Sequence, residues 1–115
     1  VKFAWLKGDL QAACESEKLL RQRFADAAHS VKYVLTLLAN SDSIRDVRAF
    51  QSIQLFLVPP TQKHRGRLLI RHKEIDVTME LLIDDTTAIY EIDADSSDWI
   101  NPIRRVRIVS ISTNA

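Results

Sequence analysis

The sequence predicts an α+β domain in which two N-terminal helices pack on an antiparallel β-sheet, because helical patterns come first and strand patterns follow. Apolar residues recur at helical spacing through the first forty positions. From residue 63 to 83 they alternate with polar residues at the strand period of two. Pro59-Pro60 separates that stretch from an earlier strand-like run, since proline has no N–H to give a ladder. A chain of 115 residues can build one core but not two, so 1–115 reads as a single domain.

Lys2 to Leu6 is short, apolar and aromatic and stops at Lys7-Gly8, which suits a brief edge strand. Asp9 is placed to cap a helix with an apolar stripe of Leu10, Ala13, Cys14, Leu20 and Phe24, and with Glu15, Glu17, Lys18, Arg21 and Arg23 turned to water. Asp26 is placed to cap a second helix with the stripe Ala27, Val31, Val34, Leu35 and Leu38, ended by Asn40-Ser41-Asp42. His29 falls beside this stripe and is expected to be a packed or capping histidine. Ser43 to Phe50 adds a helical turn, and Gln51 to Val58 reads as a strand with Ile53, Leu55 and Leu57 on one side.

Residues 63 to 83 are expected to form a β-hairpin. With Arg71 facing Asp76 across the loop 72 to 75, Ile70 meets Val77 and Leu68 meets Met79 on the core face. Leu69 then meets Thr78, and Arg67 meets Glu80, on the other face. Exposed cross-strand pairs of this kind contribute roughly 0.2 to 1 kcal/mol each and would neutralise Arg71 and Arg67. Lys63, His64 and Arg65 have no such partners in this register and are the better candidates for holding a phosphate, with His72 and Lys73 at the opposite end of the strand. Downstream, Asp84 to Thr87 reads as a turn, Ala88 to Asp93 as a strand, and Ala94 to Pro102 as a loop with Trp99 as its apolar anchor. Ile103 to Ser112 is the last strand. It carries a second basic cluster, Arg104, Arg105 and Arg107, whose place beside the first depends on strand order.

A hydrophobic fraction of 46% with 27% charged residues is that of a soluble globular chain. The net charge of +1 excludes nucleic-acid binding by bulk charge, so any such binding must be local. Cys14 is the sole cysteine, which excludes an internal disulfide and fits the cytoplasm. No run has the length of a membrane span, and the start at Val1 lacks signal-peptide architecture; a chain that begins at valine is expected to have lost residues or a tag. His29, His64 and His72 have no ligand partners at metal-site spacing, and there is no phosphate loop or nucleophile elbow, so neither a metal nor another cofactor is expected.

Phe3-Ala4, followed by Cys14-Glu15-Ser16-Glu17-Lys18 and ending in Phe24, resembles the opening of the HigB-like killer proteins of the RelE/ParE toxin superfamily. In that family a short strand leads into a helix with a Cys-x-Ser-Glu-Lys segment ending in Phe-Gly. Here Ala25 stands at the glycine, a change expected to be tolerated. Val31 to Ala39 is similar to the family's second helix, and Asp42 to Val47 to the segment after it. Gly66 with Leu68 and Ile70 is similar to its Gly-Gln-x-Ser-hydrophobic strand, and Asp98-Trp99 with Val106 to Ile111 to its Asp-Trp loop and last strand. The resemblance covers almost the whole chain.

The resemblance implies a toxin that cleaves mRNA, often on the ribosome, and is held inactive by a cognate antitoxin protein. Such chemistry needs cations around the scissile phosphate and a group that moves protons at the ribose 2'-hydroxyl and the leaving oxygen. The family's site residues are replaced: Gln62-Lys63-His64 stands for Gly-Asp-Arg, Val77-Thr78 for an aromatic-Arg pair, and Thr113-Asn114-Ala115 for a terminal Asp-Tyr-His. Two readings follow. In one, an mRNA interferase works through a rebuilt site, with His64 transferring protons, Arg65 and Lys63 holding phosphate, Arg71 or Arg67 stabilising charge, and Lys73 adding to RNA binding. In the other, the chain is a non-catalytic relative that binds a protein partner. A membrane partner is expected in neither, and a homodimer stays open in both.

Overall fold

The computed structural model describes residues 1–58, 67–82 and 100–113. Within them the elements run β1 (Lys2–Trp5), α1 (Gly8–Glu15), α2 (Glu17–Phe24), a 3-10 turn (Ala25–Ala27), α3 (Ala28–Asn40), α4 (Ile44–Arg48), β2 (Gln54–Val58), β3 (Arg67–His72), β4 (Ile75–Leu82) and β5 (Arg105–Thr113). This is an α+β architecture.

The first expected helix is two helices. Ser16 leaves the helical region at φ −122° and ψ 121°, and its Oγ accepts a hydrogen bond from the Leu19 N–H. A serine in that position satisfies one of the four N–H groups that a helix start leaves without an intrahelical partner, and contributes about 1 kcal/mol. Asp9 is not the cap of α1. Lys7 holds the cap position without a side-chain bond, and Asp9 lies in the first turn, 3.5 Å from Arg23. Asp26 caps nothing either, because the chain passes through the 3-10 turn before α3 starts at Ala28.

That turn is reached through Ala25, whose φ of 50° and ψ of −121° lie where a Cβ is crowded and glycine is preferred. Alanine at this position is therefore not free of strain. The α3 stripe is as expected, with Ala27, Val31, Val34 and Leu38 buried, and Leu35 half-buried. His29, by contrast, is exposed. Residue 29 falls between the buried Ala28 and Ser30 but on the side of α3 turned to α2 and water.

The described strands form one sheet in the order β1-β5-β4-β3-β2. Four neighbouring strands pair antiparallel, while β1 runs parallel to β5, so the sheet is mixed. The β3–β4 register is the expected one at every pair: Arg71 faces Asp76, Ile70 faces Val77, Leu69 faces Thr78, Leu68 faces Met79, and Arg67 faces Glu80. Pairing also extends to His72 and Ile75, so the loop is only Lys73-Glu74. A two-residue hairpin needs a positive φ at its first loop residue when the second is negative, and Lys73 supplies it at 51°. Between Thr78 and Met79 the β4–β5 register slips by one, leaving Val109 as the extra residue of a bulge.

Leu68, Ile70, Val77, Met79, Val106 and Ile108 are fully buried on the inner face and join the helix residues Leu10, Leu20, Phe24, Val31, Val34 and Leu38 in one core. Each such side chain contributes roughly 1.5 to 3 kcal/mol by leaving water, which fixes which face of the sheet turns inward. No helix among the described residues is long and apolar enough to cross a membrane.

Candidate functional site

Because neighbouring residues of a strand point to opposite faces, burial of Leu68 and Ile70 turns Arg67, Leu69 and Arg71 to the outer face. The pairing registers extend these positions into rows across the sheet. One row runs Val58, Arg67, Glu80, Arg107 and Ala4; the next runs Phe56, Leu69, Thr78 and Ser110; a third runs Gln54, Arg71, Asp76 and Ser112. The second basic cluster thus lies near the first, since β5 is the neighbour of β4, and Arg107 flanks the same glutamate as Arg67.

The carboxylate of Glu80 does not go to Arg67 as the hairpin alone suggested. Arg107 donates to Glu80 Oε1 from Nη2 at 3.2 Å and from Nε at 3.3 Å. The Nε of Arg67 is buried and has no hydrogen-bond partner. Two arginines compete for one carboxylate that is only 8% exposed, and β5 wins it.

Arg71 is engaged at two of its three guanidinium nitrogens. Its Nε donates to Asp76 Oδ1 at 2.8 Å and its Nη2 to Oδ2 at 3.1 Å, the bidentate geometry of a guanidinium on a carboxylate. That bond raises its pKa above the ordinary arginine value. The guanidinium also lies 5.5 Å from the ring centre of Phe56. Arg67 and Arg71 are four strand steps apart, about 13 Å. Lys73 lies beyond Arg71 in the exposed hairpin turn and makes an interaction of its own. Lys63, His64 and Arg65 fall outside the described residues, as do the strand expected at 88–93 and the Trp99 anchor.

The histidine that the described structure builds into a constellation is His72. Its side chain follows Leu68 and Ile70 onto the inner face, where it is 6% exposed. Nδ1 lies 2.7 Å from the Ser52 carbonyl oxygen, so Nδ1 carries the donated proton, and the ring stacks on Tyr33 at 4.5 Å and 21°. The Tyr33 hydroxyl is 2.7 Å from Ser52 Oγ. Beside them the Ser30 hydroxyl donates to Glu74 at 3.1 Å. The Glu74 carboxyl is held below the usual range by its own backbone N–H, against burial, and by Ser30. This group ties α3 to the hairpin and to the segment before β2. A buried ring with one nitrogen committed to a carbonyl fits an anchor better than a proton carrier.

Two grooves lie on the helical side. One, of about 450 Å³, is lined chiefly by Phe3, Trp5, Cys14, Leu20 and Leu35, with Lys32 and Glu17 at its rim. Burial pushes the Cys14 thiol up to about 11, so it is not a nucleophile at neutral pH. The other, of about 280 Å³, is lined by Glu17, Arg21, Asp26, His29 and Lys32 among others. There Lys32 donates to Glu17 at 2.9 Å and lowers its pKa. Among the described residues no three His, Cys, Asp or Glu side chains come together as a metal site.

Phe56 and the contest over Glu80 were not among the features expected from the sequence. A signal for Phe56 existed, because placing Leu55 and Leu57 on one side of a strand puts Phe56 on the other. None existed for Glu80, whose choice depends on which strand lies beyond β4. No family model, no curated protein and no solved structure matches the chain.

Proposed function

We propose that the chain is a HigB-like domain of the RelE/ParE toxin superfamily that engages mRNA through the outer face of its sheet and is restrained by a cognate antitoxin. The observation that carries this reading is at Phe24-Ala25. The resembling proteins have Phe-Gly there, and Ala25 adopts the positive φ that a glycine would accept without strain. A helix pair joined by that turn, followed by the expected hairpin register, is consistent with the family's order of elements. In this reading His64 moves protons, Lys63 and Arg65 hold phosphate, and Arg67 is the better of the two strand arginines for charge stabilisation, since Arg71 is already neutralised by Asp76. Lys73 adds to RNA binding at the hairpin end.

The second reading, a non-catalytic relative that binds a protein, is favoured by that same neutralisation. A charge-stabilising arginine gains little when its guanidinium is already bidentate on a carboxylate, and Arg107 is similarly occupied by Glu80. Induction of the chain in cells, with growth and primer extension on a translated message as readouts, separates the two. An active toxin arrests growth and cuts message, and His64→Ala lowers cleavage by on the order of 100-fold. Absence of both effects in the unmodified chain overturns the toxin reading; equal cleavage by His64→Ala moves the proton carrier elsewhere. Co-expression with the product of a neighbouring gene, followed by pull-down, tests the antitoxin.

A further inference from the structure

The outer face of the sheet carries a feature that phosphate chemistry does not use. Phe56 is 44% exposed although it sits within a strand, and its cross-strand partner Leu69 is half-buried. Arg67 and Arg71 lie one diagonal step to either side of it in the β2–β3 register, and the Arg71 guanidinium lies 5.5 Å from the ring centre while the ring stays exposed. We infer that Phe56 is a stacking platform for an unpaired nucleobase, with Arg71 as the guanidinium beside the ring and Arg67 as the cation for the adjoining phosphate. The inference rests on the RNA reading above and adds a residue and a requirement to it, namely that the nucleic acid be single-stranded.

The chemistry fits that occupant. Among the described residues the pairing registers give the outer face Arg67, Arg71, Arg105 and Arg107 against Asp76 and Glu80, a local positive excess in a chain of net charge +1. Asp76 would repel a phosphate if bare, but its two oxygens are taken by Arg71, so the charge next to the ring is cancelled and the ring is offered to a neutral π-surface. The Nε of Arg67 makes no hydrogen bond where it is buried, so turning the guanidinium outward to a phosphate would gain a partner for that atom and break no bond at it. Exposed aromatics on a sheet, flanked by arginine, hold splayed bases whatever their sequence, because every base has a π-face.

Anisotropy of a labelled mixed-sequence single-stranded RNA, and of the same RNA as a duplex, tests this with the unmodified chain and with Phe56→Ala, Phe56→Leu and Phe56→Trp. Phe56→Ala and Phe56→Leu should each weaken single-strand binding about tenfold or more, and Phe56→Trp should retain it. The salt dependence should stay the same in all three, because no phosphate contact is lost, whereas Arg67→Ala should make it shallower by about one phosphate. Thermal melts identify any variant that has lost its fold, and Phe56→Leu keeps the apolar bulk without the ring. Single-strand binding by Phe56→Leu equal to that of the unmodified chain overturns the platform while leaving RNA binding in place. No binding by the unmodified chain overturns it outright. A dimer in light scattering that Phe56→Ala dissociates, with RNA affinity unchanged, also overturns it and assigns the face to a second copy. Ring-dependent binding without message cleavage supports the platform and removes only the toxin activity.

Discussion

Arg107 holds Glu80 through two nitrogens on one carboxylate oxygen, and the arginine on Glu80's other flank, Arg67, is left with a buried Nε and no partner. The arrangement predicts strongly non-additive substitutions. Arg67→Met should be neutral or slightly stabilising, since it removes a desolvated donor that makes no bond. Arg107→Met should cost about 1 kcal/mol, because Arg67 can turn to the vacated carboxylate. The double variant should cost more than the sum by about 1 kcal/mol, as the carboxylate is then partly buried without a counter-charge. Urea unfolding of the four chains measures the coupling, and strict additivity would show that the two arginines do not share Glu80.

Ala25→Gly should stabilise the protein by about 1 kcal/mol, or about 4 °C in Tm. Relief of the positive-φ strain exceeds the extra chain entropy that glycine adds to the unfolded state. Ala25→Val should lower Tm, because a β-branched side chain is still less tolerant of that backbone. Differential scanning calorimetry reads both, and a drop in Tm for the glycine variant would contradict the backbone geometry at Ala25.

Cys14 should be slow to alkylate. Raising its pKa from 9.0 to about 11 cuts the thiolate fraction at pH 8 roughly 100-fold, and the greater nucleophilicity of a more basic thiolate recovers about tenfold of that. The net expectation with iodoacetamide is a rate about tenfold below that of an unstructured cysteine peptide. The same shift has a sign for stability: neutral Cys14 favours the fold fully below pH 9, and that contribution is lost as the pH rises through 11. Alkylation at the peptide's rate would place the thiol in water.

His72→Phe should cost about 1 kcal/mol, since the stack on Tyr33 survives and one bond to the Ser52 carbonyl is lost. His72→Ala should cost about 2 to 4 kcal/mol because it also leaves a cavity. Hydrogen exchange at the Gln54–Val58 amides should quicken in both, as the edge strand loses its tie to α3. Equal stability of all three chains would mean that the ring anchors nothing.

The hairpin was legible because alternation fixes register and face together: once Leu68 and Ile70 must be inside, Arg67 and Arg71 have to be outside, and Arg71 has only Asp76 to meet. The α3 stripe was legible for the equivalent helical reason. The break at Ser16 was written in the capping serine but was masked by good helix formers on both sides of it. The strain at Ala25 leaves no trace in the sequence itself, since alanine there looks like any helix residue. Glu80's partner was beyond reach for a different reason, because strand order is a property of the whole sheet and no local pattern encodes it. Of the six site residues proposed from sequence, Arg67, Arg71 and Lys73 fall within the described chain; Arg71 is paired with Asp76, Lys73 makes an interaction of its own, and Arg67 has a buried Nε without a hydrogen bond.

The parallel pairing of Lys2–Trp5 with Arg105–Ile108 has a consequence for how the protein is made. β1 leaves the ribosome before the other described strands and has β5 as its only strand neighbour in the described sheet, while β5 is synthesised about a hundred residues later. Until then, among the described elements, Phe3 and Trp5 have the helices to lean on, although β2, β3 and β4, which are close in sequence, can already pair. Closing so long a loop is entropically slow, so the nascent chain should pass through a stage in which β2, β3 and β4 are paired and β5 has not yet joined β4. A chaperone that recognises aromatic residues in an extended segment would find its binding site in β1 during that interval and lose it when β5 arrives.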